Sequence, residues 1–142
     1  MLLHFNDINI KNKTKPLFEE DCKRIVSGLL PNRAIETDIY ITRRCNMNCS
    51  YCYIKEYFDR GYSFIDPDIK QLFRLIDKIS SKTFGLVILG GEPLIRRDLY
   101  QLLRYAREKD IPSIRVSTNG TLIKYSIDAL NHIDRLNINQ WC

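Results

Sequence analysis

Long hydrophobic runs are missing from this sequence. The longest aliphatic stretch is Leu86 to Leu89, far short of the roughly 20 residues that cross a bilayer. The opening Met1-Leu2-Leu3-His4-Phe5-Asn6-Asp7 has no basic flank and only a brief apolar stretch, so it does not read as a secretory signal. No membrane partner is expected, and a cytoplasmic location is. Blocks of like charge are also missing. Lys and Arg total 22 against 17 acids, a net charge of +5. The bases are scattered, apart from Lys11, Lys13 and Lys15 and the pairs Arg43-Arg44 and Arg96-Arg97. With no basic stripe and no RNP-like signature, a nucleic-acid partner is not expected. Apolar residues at 44% and charged residues at 27% are near globular averages, which excludes a disordered tail, a collagen-like fibre and a coiled coil. A length of 142 residues suits one ordinary domain.

Cysteine is the residue that stands out. Five occur, an odd number, and three of them fall within eight residues: Cys45, Cys49 and Cys52. Without a secretory signal this argues against a disulfide scaffold and for metal or redox chemistry. Cys22 and Cys142 stand apart, and neither they nor His4, His132 or Trp141 receive a role; the two histidines read as solvated or capping residues.

The first 34 residues read as a peripheral arm, with a short amphipathic helix over Phe18–Leu30 that Pro31 stops. From residue 35 to 142 the text alternates strand and helix. Ile35–Thr42 alternates apolar and polar residues as a strand. Asp66-Pro67 offers an N-cap and a first-turn proline for a helix over 66–81. Leu86–Leu89 is an apolar strand of the kind covered on both faces. Asp98 opens a second helix, which Ile111-Pro112 ends. Ser113–Thr118 is a third strand, Asn119-Gly120 a tight turn, Ile123 to Ile133 a third helix, and Arg135–Gln140 a fourth strand. Strands alternating with helices predict right-handed crossovers and a parallel α/β sheet. In such sheets ligands sit beyond the carboxyl ends of the strands. Cys45 to Cys52 follows the first strand, Gly90-Gly91-Glu92-Pro93 the second and Thr118-Asn119-Gly120 the third, which predicts one site built from three loops.

The cysteine spacing is Cys-x3-Cys-x2-Cys. Structural zinc usually takes four protein ligands, commonly from two knuckles, and no second knuckle occurs here. Iron–sulfur ferredoxins use four cysteines in other spacings. Three ligands with one corner open is the natural reading, because a small molecule can then bind the fourth metal vertex. A zinc domain and three plain thiols remain alternatives. Gly90 and Gly91 permit close approach of backbone to a ligand, and Asn46, Asn48 and Ser50 suit a tightly turned loop that hydrogen-bonds toward sulfur.

Cys45-Asn46-Met47-Asn48-Cys49-Ser50-Tyr51-Cys52 resembles the Cys-x3-Cys-x-aromatic-Cys signature of the radical S-adenosylmethionine (SAM) superfamily, over roughly residues 35 to 140. Tyr53 and Gly-Gly-Glu-Pro-Leu are similar to its molybdenum-cofactor, pyrroloquinoline-quinone and peptide-maturase branch. The resemblance implies that Cys45, Cys49 and Cys52 ligate a [4Fe–4S] cluster whose unique iron chelates SAM. One electron then cleaves the sulfonium bond to give methionine and a 5′-deoxyadenosyl radical, which abstracts hydrogen from the substrate. It implies that Tyr51 contacts the adenine end, that Gly90, Gly91 and Glu92 bind the methionyl amino group, and that Thr118 and Asn119 face cofactor or substrate. It further implies a small-molecule or peptide substrate and an electron donor such as flavodoxin or ferredoxin.

The family core is a partial barrel of six βα units. About three units and a possible fourth strand are present here, so an incomplete barrel with a short N-terminal helical arm is expected. The segment Leu136 to Cys142 departs from the usual fourth-strand ending. The alternative function is a non-catalytic iron–sulfur binding remnant or electron-transfer module, a truncated core that holds a cluster without turnover.

Overall fold

The computed structural model describes residues 33–60 and 65–139. The arm helix expected over Phe18–Leu30, together with Cys22, Gln140, Trp141 and Cys142, lies outside them.

Four strands form one parallel sheet in the order β1-β2-β3-β4: β1 Ala34–Tyr40, β2 Thr83–Leu89, β3 Ser113–Thr118 and β4 Arg135–Ile138. Among the described residues four α-helices lie between them: α1 Tyr53–Asp59, α2 Ile69–Ile79, α3 Leu99–Glu108 and α4 Ile127–Leu130. Tyr40 pairs with Leu89, Ile88 with Val116 and Thr118 with Ile138. The strand ends are therefore level, and the loops after β1, β2 and β3 leave from one edge of the sheet. Among the described residues the sheet is open at both sides, consistent with an incomplete barrel.

Packing explains the element boundaries. β3 alternates, with Ile114, Val116 and Thr118 buried and Ser113, Arg115 and Ser117 half-buried. Ile114 and Val116 join Leu72 and Ile76 of α2, Leu99, Leu102, Leu103 and Ala106 of α3, and Ala129 and Leu130 of α4 in one core. The helices thus cover one face of the sheet. Each fully buried aliphatic side chain contributes about 1.5–3 kcal/mol. The central strand β2 is buried from Thr83 through Ile88, longer than its aliphatic run suggested. Arg107 ties α3 to the far strands: it donates to the carbonyl oxygens of His132 (2.7 Å) and Ile111 (3.2 Å) and pairs with buried Asp134, which also accepts from the Ile114 amide at 2.7 Å.

Three expectations need correction. α2 is not capped by Asp66. Its N-cap is Asp68, which accepts from the Gln71 amide (2.7 Å) while the Gln71 side chain accepts from the Asp68 amide (2.8 Å), a complete capping box. Asp98 is the N-cap residue of α3 but makes no side-chain cap bond, because Arg96 takes both its oxygens at 2.6 and 2.8 Å. The third helix is not continuous. It is a 3₁₀ turn at Ile123–Tyr125 followed by the single turn of α4, as suits a segment carrying Ser126, Asp128 and Asn131. The short helix α1, directly after Cys52, was not anticipated.

Candidate functional site

The chain leaves β1 as Ile41-Thr42-Arg43-Arg44 and runs straight into the cysteine loop. Three groups hold this root. Asp66 Oδ2 accepts from Thr42 Oγ1 (2.6 Å) and Arg44 Nε (2.9 Å), and Oδ1 accepts from the Arg43 amide (2.9 Å). Burial alone would raise the Asp66 carboxyl, but those hydrogen bonds outweigh it and hold the group below the ordinary carboxylate value. Arg96, nearly inaccessible, donates to the carbonyl oxygens of Ile41 and Pro67, both at 2.8 Å, and its hydrogen bonds keep Asp98 ionised below the usual range.

The third group is the Gly90-Gly91 backbone. Gly91 N donates to Thr42 O and Glu92 N to Arg44 O, each at 2.8 Å. A Cβ on Gly91 would stand 2.5 Å from the carbonyl oxygens of both Arg43 and Arg44, and one on Gly90 would stand 2.6 Å from Thr42 O. Neither glycine is needed for a positive φ. Both are needed for space, because the loop after β2 lies directly against the root of the cysteine loop.

Glu92 is fully buried. Its Oε1 accepts from the Leu94 amide (2.9 Å) and from Thr118 Oγ1 (2.7 Å), and its Oε2 accepts from the Asn119 amide (2.7 Å). The structure therefore places this carboxylate beneath the site, as the clamp joining the second and third loops. Thr118 shares that role, its hydroxyl also accepting from Gly120 N at 3.1 Å.

Above this clamp lies a cavity of about 400 Å³. Its walls bring together Cys45, Cys49 and Cys52 with Tyr51, Gly90, Gly91, Thr118 and Asn119, all singled out in the sequence, but not Glu92. Ser117, Asn139 and Tyr53 also line it and were missed. Ser117 was legible as the outward residue of an alternating strand. Tyr53 was noted only for its place after Cys52; its hydroxyl lies 2.7 Å from that of Tyr40, and burial with this hydrogen bond raises the phenol above its ordinary value. A larger cavity, about 590 Å³, lies between α3 and α4 and includes His132 but no cysteine.

Cys45 and Cys52 carry free thiols. Among the described residues, no three His, Cys, Asp or Glu side chains converge as a single-ion centre requires. A cubane cluster asks for something else, because each cysteine takes a different iron. The Met47 amide (3.4 Å) and Asn119 Nδ2 (3.8 Å) both point at Cys45 Sγ, the kind of donor that a metal-bound sulfur accepts.

Comparison with known proteins agrees with this arrangement. The chain is 41% identical over 93 residues to GTP 3′,8-cyclase of Staphylococcus haemolyticus, covering 61% of this chain and 27% of that protein. It is 36% identical over 113 residues to Fe-coproporphyrin III synthase of Methanosarcina barkeri, covering 75% and 27%. It is 32% identical over 103 residues to 7,8-dihydro-6-hydroxymethylpterin dimethyltransferase of Methanocaldococcus jannaschii, covering 68% and 20%. The chain thus matches about a quarter of the length of these relatives. The pattern of the Radical SAM superfamily matches residues 39–140, from the end of β1 past β4, and the chain belongs to that superfamily.

Proposed function

We propose that this chain binds a [4Fe–4S] cluster through Cys45, Cys49 and Cys52 and holds S-adenosylmethionine beside it. The observation that carries the reading is the meeting of the three cysteines with Gly90, Gly91 and Asn119 around one cavity at the carboxyl edge of the sheet. Such a cluster, when bound and reduced, supplies the electron that cleaves the sulfonium bond and releases a 5′-deoxyadenosyl radical for hydrogen abstraction. The residues of the chain supply position. Asp66, Arg96 and the Gly91 backbone fix the root of the cysteine loop. Glu92 and Thr118 join the loops beneath the cavity. Tyr51, exposed at the rim, offers a flat face to the adenine end, and Gly90-Gly91 offers backbone to the methionyl end. The nitrogen-heterocyclic compounds in the relatives' names support a small cofactor precursor as substrate, with a peptide as the other class the family resemblance admits. A flavodoxin or ferredoxin serves as electron donor.

The test is anaerobic loading of the full chain with iron and sulfide under thiol reductant, followed by addition of SAM and dithionite. The expected result is 5′-deoxyadenosine and methionine in equal amounts. A fully loaded cluster that yields neither would replace this reading with that of a non-catalytic iron–sulfur module.

A further inference from the structure

Resting on the cluster reading above, we propose that Asn119 tunes the reduction potential of the cluster through Cys45, and that buried Glu92 positions Asn119 to do so. Three hydrogen bonds fix which way the Asn119 amide faces. Its Oδ1 accepts from the Thr121 amide (3.0 Å) and from Thr121 Oγ1 (2.7 Å). That leaves the NH₂ group on the cysteine side. One of its hydrogens goes to Asn46 Oδ1 at 2.9 Å, and the other is directed at Cys45 Sγ at 3.8 Å. Asn46 Nδ2 donates back to Thr121 Oγ1 at 2.8 Å. The three side chains therefore form a closed ring in which every donor has one acceptor. Exchanging the oxygen and nitrogen of Asn119 would set donor against donor at Thr121 N, so the ring specifies the amide orientation.

The ring joins the residue after Cys45 to the turn after β3, and it stands on Glu92. The Asn119 amide donates to Glu92 Oε2 at 2.7 Å, and Glu92 has no exposure to solvent. The Glu92 carboxylate does not line the cavity, unlike Gly90 and Gly91, and it reaches the Cys45 side of the site through Asn119. A donor aimed at a cluster thiolate stabilises the more negative, reduced state more than the oxidised one, and so raises the potential. For a protein that must deliver one electron to a bound sulfonium, this sets how readily the electron is loaded.

The experiment is a mediator-poised redox titration of the reconstituted full chain, read by electron paramagnetic resonance, with iron content and circular dichroism measured alongside. Asn119→Ala is expected to lower the reduced-to-oxidised ratio at fixed potential by about three- to tenfold, tenfold being about 59 mV for one electron, with iron content unchanged. Asn119→Asp, of the same size but with no donor and an added negative charge, should lower it further. Glu92→Gln, whose amide would face the Asn119 N–H, should shift the ratio in the same direction. The Glu92→Gln/Asn119→Ala double variant should shift it no further than Asn119→Ala alone. An unchanged ratio in both Asn119 variants overturns the proposal, as does an additive double variant. Loss of iron from a folded Asn119→Ala protein also overturns it, by making the residue one that retains the cluster. Should Asn119→Ala fail to fold, Asn119→Ser gives the same comparison. A wild-type chain that takes up no iron overturns the cluster reading itself, a distinct result.

Discussion

Gly91→Ala is expected to displace the cysteine loop. The added methyl would lie 2.5 Å from two carbonyl oxygens and 2.8 Å from the Arg44 carbonyl carbon, all backbone atoms that no rotamer change can move aside. The two short bonds from Gly91 N and Glu92 N hold the strands of this contact together, so either those bonds lengthen or the root of the loop shifts. Overpacking of this kind typically costs about 1–3 kcal/mol, and weakening the two hydrogen bonds adds about 0.5–1.5 kcal/mol for each. Urea denaturation should therefore show a loss of about 3 kcal/mol, and iron bound per chain should fall severalfold. Gly120→Ala is the useful contrast. Gly120 has φ +83° and a Cβ there would meet Ile138 Cγ2 at 2.9 Å, so stability should fall while iron content holds, because Gly120 does not touch the cysteine loop's root. Equal iron content in the Gly91→Ala and wild-type proteins would contradict the packing role assigned to this glycine.

Glu92→Ala should be more damaging still. It removes an acceptor for three donors, two of them buried (the Leu94 amide and Thr118 Oγ1) and one part-buried (the Asn119 amide). An unsatisfied buried donor costs about 1–3 kcal/mol, and the void adds to it. The expected loss is about 3–6 kcal/mol, a large fraction of the stability of an ordinary domain, seen as a lower midpoint in urea. Glu92→Gln retains one acceptor oxygen and should lose less than half as much. If Glu92→Ala were as stable as the wild type, the clamp beneath the cavity would have to be abandoned.

These two residues also show where sequence reasoning reaches and where it stops. The Gly-Gly pair signals a close approach, and that is correct, but the neighbour it approaches is the Arg43–Arg44 backbone, about 48 positions away in the chain and fixed only by the β1–β2 register. Glu92 follows a strand in a known motif, yet nothing local says whether its carboxylate turns outward to a ligand or inward to Thr118. The parallel sheet, its strand order along the chain and the convergence of three loops were legible because each rests on local periodicity and on a general rule for α/β sheets. The start of α2 was misread because Asp66-Pro67 imitates a helix start. Asp68 with Gln71 three residues later was the stronger signal, and Asp66 was free to hold Thr42 and Arg44 instead. The ring of Asn46, Asn119 and Thr121 could not be read at all, since Asn46 lies more than seventy positions from the other two and they share no pattern. Across the third helix, apolar spacing suggested continuity that the intervening polar residues did not support.

The most direct measurement is iron and sulfide bound per chain after oxygen-free, thiol-reduced reconstitution, compared between wild type and the single variants Cys45→Ala, Cys49→Ala and Cys52→Ala. About four irons and four sulfides per wild-type chain, with loss of most of that in every variant, is the predicted result. Wild-type iron content in any one of the three variants, or none in the wild type, would contradict the assignment of these sulfurs as the cluster's ligands.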